Sequence, residues 1–69
     1  MPFTDIERKI LNILYNASRP LTTTQMTKKT GTSWATTNKN LEQLHKRKYV
    51  VTKKIGNKKY WKIRIDYTF

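Results

Sequence analysis

The sequence predicts an α+β fold: three helices followed by a C-terminal two-stranded β-hairpin. Three observations point to it. Residues suited to an inward face recur at three- and four-residue spacing in two separate stretches, an apolar stripe over residues 6–17 and Thr37, Leu41 and Leu44 over residues 37–44. A short segment between them ends at Gly31, which can take the left-handed conformation that stops a helix. The last third is rich in β-branched and aromatic residues on both sides of Gly56-Asn57, a two-residue hairpin signal.

The first helix opens at Thr4, an N-cap, and Glu7 three residues later completes a capping box. Asp5 and Glu7 sit in the first turn, where the helix dipole favours acids. Ile6, Ile10, Ile13, Leu14 and Ala17 form one apolar stripe on a helix of roughly Asp5 to Asn16, with Arg8, Lys9 and Asn12 on the other side. Proline disfavours helix in the residue before it, so this helix ends before Ser18-Arg19-Pro20. Leu21 then predicts a one- or two-residue extended piece.

Thr22 or Thr23 can cap a short second helix, about Thr24 to Lys29, whose main apolar contact is Met26. Lys28 and Lys29 suit its negative end. After the turn at Gly31, Thr32 points inward and Ser33 caps a third helix. Thr37, Leu41 and Leu44 form its inward stripe. The helix runs to about Lys46 or Arg47, and His45, Lys46, Arg47 and Lys48 suit its C-terminus. Its polar face carries Trp34, Thr36, Asn38, Lys39 and Asn40, and the small Ala35 beside them permits close approach.

The hairpin strands are Tyr49 to Ile55 and Lys58 to Ile65. With the turn at Gly56 and Asn57, Ile55 faces Lys58, Thr52 faces Trp61 and Val50 faces Ile63. Val50, Trp61, Ile63 and Ile65 then share a face directed at the helices, and Lys53, Tyr60 and Lys62 share the opposite one. Lys53, Lys54, Lys58 and Lys59 crowd the tip. No role is readable for the tail, Asp66 to Phe69.

Composition narrows the function. At 69 residues the chain predicts a single domain over 1–69. A chain of this size buries only roughly 60% of its unfolded surface, so its core is small. The formal net charge is +11, from fifteen Lys and Arg against four Asp and Glu. Self-repulsion on this scale is relieved when phosphates neutralise the lysines, so a polyanion is the expected partner. The chain contains no cysteine, and His45 alone cannot build a metal site. Two of the acids sit in a capping turn and one in the tail. With no Gly-rich phosphate loop and no nucleophile beside a base, the chain reads as neither an enzyme nor a cofactor binder. No run approaches the ~20 apolar residues of a membrane span. The N-terminus lacks the layout of a signal peptide. The expected setting is intracellular, either cytoplasmic or nucleoid-associated.

Helix, short extended residue, helix, turn, helix and hairpin is the order of the winged helix-turn-helix domain, and the chain resembles that family over nearly its whole length. The most specific part is Pro20-Leu21-Thr22-Thr23 through Leu44, followed by Lys48-Tyr49-Val50, which looks like the pattern of small bacterial and archaeal transcriptional repressors. Two positions depart from it. Lys48 stands where a glycine usually precedes the first wing strand, and Thr37 stands where an apolar β-branched residue is common. Asn38, Leu41, Leu44 and Trp61-Lys62-Ile63 are also similar to the left-handed-DNA-binding winged helix of RNA-editing adenosine deaminases. That relative carries a tyrosine where this chain has Glu42, and prolines where its wing has lysines. A glutamate facing phosphate repels it, which argues against that reading.

The resemblance implies a recognition helix, about 33–47, in the DNA major groove and a wing, about 53–59, on the backbone or minor groove. The family's base-facing positions are 34, 35, 36, 38, 39 and 40. The candidate DNA-binding residues are thus Ser33, Trp34, Thr36, Asn38, Lys39, Asn40, Lys53, Lys54, Asn57, Lys58 and Lys59. Asn38 and Asn40 can pair with adenine, because an amide both donates and accepts, and asparagine is otherwise a poor interior helix former. Lys39 suits guanine or a phosphate. Ser33 and Thr32 can bind phosphate, cap the helix, or do both. Two roles stay open for Trp34: packing on a sugar or thymine methyl, or folding back over the second helix. Trp61 reads as core. Lys28, Lys29, Lys46, Arg47 and Lys48 read individually as solvated charges, and Tyr15 as either core edge or phosphate contact. The expected partner is double-stranded DNA, with a homodimer possible and no small-molecule effector evident. The alternatives are an RNA-binding winged helix or a protein-interaction module.

Overall fold

The first helix nucleates on its own sequence. In a computed structural model that describes residues 3–64, α1 spans Asp5–Asn16. The Thr4 hydroxyl accepts from the Glu7 amide at 3.1 Å, and the Glu7 carboxylate accepts from the Thr4 amide at 2.9 Å. Both halves of the expected capping box are therefore made. Ile10 and Leu14 of the expected stripe are buried, and Ile6, Ile13 and Ala17 pack against them half-buried.

α2 spans Thr23–Thr30, one residue longer at each end than expected. Its cap is Thr22, which forms a second capping box with Gln25. Thr23 is thereby inside the helix and buried. Gly31 terminates α2 at φ 74°, with its amide donating to the Thr27 carbonyl at 2.9 Å. Lys9 of α1 donates to the last carbonyl of α2, Thr30, at 3.0 Å and ties the two helices together.

α3 spans Trp34–Lys46 behind the Ser33 cap. Thr37, Leu41 and Leu44 are its buried residues, as the spacing requires. Thr37 is tolerated at an apolar position because its hydroxyl is satisfied: it lies 2.6 Å from the Thr32 hydroxyl and 3.4 Å from that of Thr30. These threonines join the turn to both of its helices. At the other end the Tyr49 amide donates to Leu44 and the Lys48 amide to His45, a Schellman closure. That closure places Lys48 at φ 66°, in the left-handed region that favours glycine. The family glycine missing from the sequence is thus explained, and a lysine carries the strain in its place.

The hairpin pairs β2 (Val50–Ile55) with β3 (Lys58–Ile63) in the expected register, Ile55 with Lys58, Thr52 with Trp61 and Val50 with Ile63. Positive φ falls on Gly56 alone of the two turn residues, at 61°, as a type II′ turn requires. The expected two-stranded hairpin is a three-stranded antiparallel sheet. β1 (Leu21–Thr22) pairs with β3, Leu21 opposite Trp61, in the order β1-β3-β2. A two-residue strand leaves too little alternation to read locally; its partner lies about forty residues away. Ile65 and the tail lie outside the described residues.

The core is Ile10, Leu14, Leu21, Met26, Leu41, Leu44, Val50 and Trp61. Trp61, on the central strand, is fully buried, and its indole N–H donates to the Thr23 hydroxyl at 2.8 Å. A buried indole needs such a partner, so Thr23 locks the sheet to α2. Val50 and Trp61 do face the helices, with Ile63 half-buried beside them.

Arg47 corrects the reading of a solvated charge. It is half-buried, donates to Glu7 at 3.2 Å, and stacks its guanidinium 5.0 Å from the Phe3 ring and 5.3 Å from Tyr49. Glu7 is 3% exposed. One carboxylate therefore caps α1 and holds the C-terminus of α3.

Candidate nucleic-acid interface

α3 presents three rows to solvent. With about 3.6 residues per turn, Thr37, Leu41 and Leu44 point inward, and Ala35, Lys39, Gln43 and Lys46 form the crest opposite. Those four are exposed. Trp34, Asn38 and Glu42 fall on the flank toward the hairpin, and Thr36 and Asn40 on the flank away from it. The polar face read from the sequence as one surface is thus divided. Gln43 was not singled out, although its four-residue spacing from Lys39 places it on the same row.

The two asparagines differ in their surroundings. Asn40 donates its amide to the Thr36 carbonyl at 2.8 Å, a local bond that explains its tolerance inside the helix. Asn38 is half-buried, and its side chain makes no hydrogen bond to the described residues. Ser33 is engaged as the cap, accepting from the Thr36 amide and donating to the Thr36 hydroxyl at 3.0 Å. Trp34 is 54% exposed and outside the core cluster, so it does not cover the core.

The lysines of the hairpin also separate. Lys59 pairs with Glu42 of α3, and its ammonium lies 5.2 Å from the Trp61 ring. Lys53, Lys54 and Lys58 are exposed and make no ion pair among the described residues. Strand alternation separates Lys59 from Lys53 and Lys58, whereas Lys54, directly opposite Lys59, shares its face without an ion pair among the described residues. Lys59 shares its face with Trp61 and so points toward α3, whereas Lys58 pairs with Ile55 on the outer face. Ile55 is itself 56% exposed at the tip.

Between α3 and the hairpin runs an open cleft of about 620 Å³. Trp34 and Asn38 line one side, Lys54, Asn57, Lys58, Lys59 and Tyr60 another, and the first turn of α2 closes one end. Tyr60 and that first turn were not among the site residues read from the sequence. Among the described residues, no three His, Cys, Asp or Glu side chains are grouped to hold a metal ion. No described helix is long and apolar enough to cross a membrane.

A family model described as winged helix-turn-helix DNA-binding matches residues 3–51. No curated protein matches the chain. Among solved structures, human N-acetylserotonin methyltransferase in complex with SAM is similar at a TM-score of 0.77 and 19% identity, covering 86% of this chain but 17% of that one. The chain thus corresponds to a small part of the methyltransferase. The structure of HOP2, described for its DNA recognition and protein interaction domains, is similar at a TM-score of 0.76 and 24% identity, covering 86% of this chain and 98% of that one. At these identities both likenesses bear on the fold alone.

Proposed function

Because the chain belongs to the winged helix-turn-helix DNA-binding family, we propose that it reads double-stranded DNA sequence-specifically and acts as a transcriptional regulator. α3 enters the major groove, with Lys39 and Gln43 on its leading row and Asn38 reaching a base edge from the flank. Lys53, Lys54, Lys58 and Asn57 of the hairpin engage the adjacent backbone. The observation that carries this reading is the Asn38 amide: half-buried, unbonded within the described residues, and beside two unpaired lysines. Phosphate contacts position the domain and base contacts specify the sequence. One recognition helix covers only a few base pairs, so two copies on adjacent half-sites are expected.

The test begins with selection of preferred duplexes from a random pool. Asn38→Ala is expected to lose affinity for the selected duplex by about 1–3 kcal/mol and to change binding to random duplex little. Asn40→Ala loses less, because its amide is already bonded within the helix. Equal losses on selected and random DNA would remove Asn38 from base reading. Failure to select any sequence would defeat the proposal as a whole.

A further inference from the structure

A tryptophan more than half exposed, 54%, beside a charged hairpin is unexplained by packing or by the duplex contacts proposed above. Trp34 forms one side of the cleft with Asn38, and across from them stand Tyr60, Lys54 and Lys58. The components are a flat indole, an amide with no partner among the described residues, and two unpaired ammonium groups. A nucleotide offers the complement of each: a base face to stack, a base edge to pair, and a phosphate. The volume, about 620 Å³, is within the roughly 300–1,000 Å³ of small-ligand sites. A base inside a duplex can meet Asn38 only at its major-groove edge and cannot stack on Trp34, because both its faces are already stacked.

We infer that the cleft between α3 and the hairpin binds an unstacked nucleotide of a single-stranded DNA extension adjoining the duplex, with the base on Trp34 and its phosphate on Lys54 and Lys58. The inference rests on the proposed function in taking DNA as the ligand. It is independent of which duplex sequence α3 reads. Single-strand binding sites commonly combine a basic groove with aromatic side chains on which bases stack. The Glu42–Lys59 pair borders this site and keeps one lysine engaged within the protein; when an extension is present, Lys54 and Lys58 pass from the duplex backbone to the strand's phosphate, and Lys53 and Asn57 stay on the duplex.

The experiment compares three probes of one duplex sequence: blunt, carrying a single-stranded extension of about four nucleotides, and carrying the same extension with abasic sugars. The base-bearing extension is expected to bind roughly tenfold more tightly than the blunt duplex, the gain from one stacked base. It should also quench tryptophan emission. The abasic extension should show neither effect. Trp34→Ala should abolish the ratio of extended to blunt affinity, and Trp34→Phe should retain most of it while losing the quench, because Trp61 is buried in the core. Equal binding of blunt and base-bearing probes would overturn the inference. So would equal binding of abasic and base-bearing probes, or a ratio untouched by Trp34→Ala. Loss of sequence discrimination with the ratio intact would instead overturn the duplex reading alone.

Discussion

The two lysines at positions 58 and 59 are neighbours in sequence, but the fold assigns them opposite roles. Lys58 is exposed on the outer face, and Lys59 is held by Glu42. On the proposed function, Lys58→Ala should therefore remove a phosphate contact, whereas Lys59→Ala removes a charge already offset within the protein. Each phosphate neutralised contributes about 0.9 to the slope of log affinity against log salt. Lys58→Ala should thus flatten the slope by about 0.9, which lowers affinity roughly eightfold at 0.1 M salt and about 3.5-fold at 0.25 M. Lys59→Ala should flatten it by less than half as much. Glu42→Gln has the opposite sign: it releases Lys59 and removes a carboxylate beside the phosphates, and so steepens the slope by up to about 0.9. Fluorescence anisotropy with a labelled duplex across that salt range reads all three slopes. Equal flattening by Lys58→Ala and Lys59→Ala would refute the argument, since the ion pair would then not survive in the complex. An unchanged slope in Lys58→Ala would remove the hairpin from the backbone.

Three further outcomes concern stability and are read by thermal or urea unfolding. Thr23→Val leaves the buried Trp61 indole N–H without its acceptor, a loss of about 1–3 kcal/mol, or about 4–8 °C in Tm per kcal/mol for a chain of this size; an unchanged Tm would mean that the indole finds another partner. Lys48→Gly relieves a left-handed penalty of about 1–2 kcal/mol against an added chain entropy of roughly 0.5–1 kcal/mol. A net gain of up to about 1.5 kcal/mol is therefore expected, and a loss would show that the lysine side chain contributes a contact. Glu7→Gln keeps a capping-box acceptor but removes the charge facing Arg47. Because Arg47 is 29% exposed, the loss should be about 1–2 kcal/mol rather than the about 3–5 kcal/mol of a fully buried pair.

Local chemistry was legible in the sequence alone. The Thr4 capping box, the stop at Gly31, the Ser33 cap, the stripes through Ile10 and Leu14 and through Leu41 and Leu44, and the hairpin register all depend on groups within a few residues of one another. The caps and turns draw their energy from these local groups, and the spacing of the stripes fixes which face each helix must bury, although the energy of that burial comes only with tertiary packing. The strongly basic charge and the family resemblance likewise required no coordinates.

Tertiary structure alone decided which like residues differ. Leu21 becomes a strand only because Trp61 stands opposite it. Arg47 leaves solvent only because Glu7, forty residues earlier, meets it between two rings. Asn38 faces the cleft and Asn40 bonds back to its own helix, although both belong to one polar run. Lys59 pairs with Glu42 of α3 while Lys58 stays exposed at the rim of the cleft. In each case the deciding partner is remote along the chain, and a remote partner's position is set by packing around Trp61 and the helix core. Periodicity assigns a residue to a face of its own element; only packing determines what that face meets.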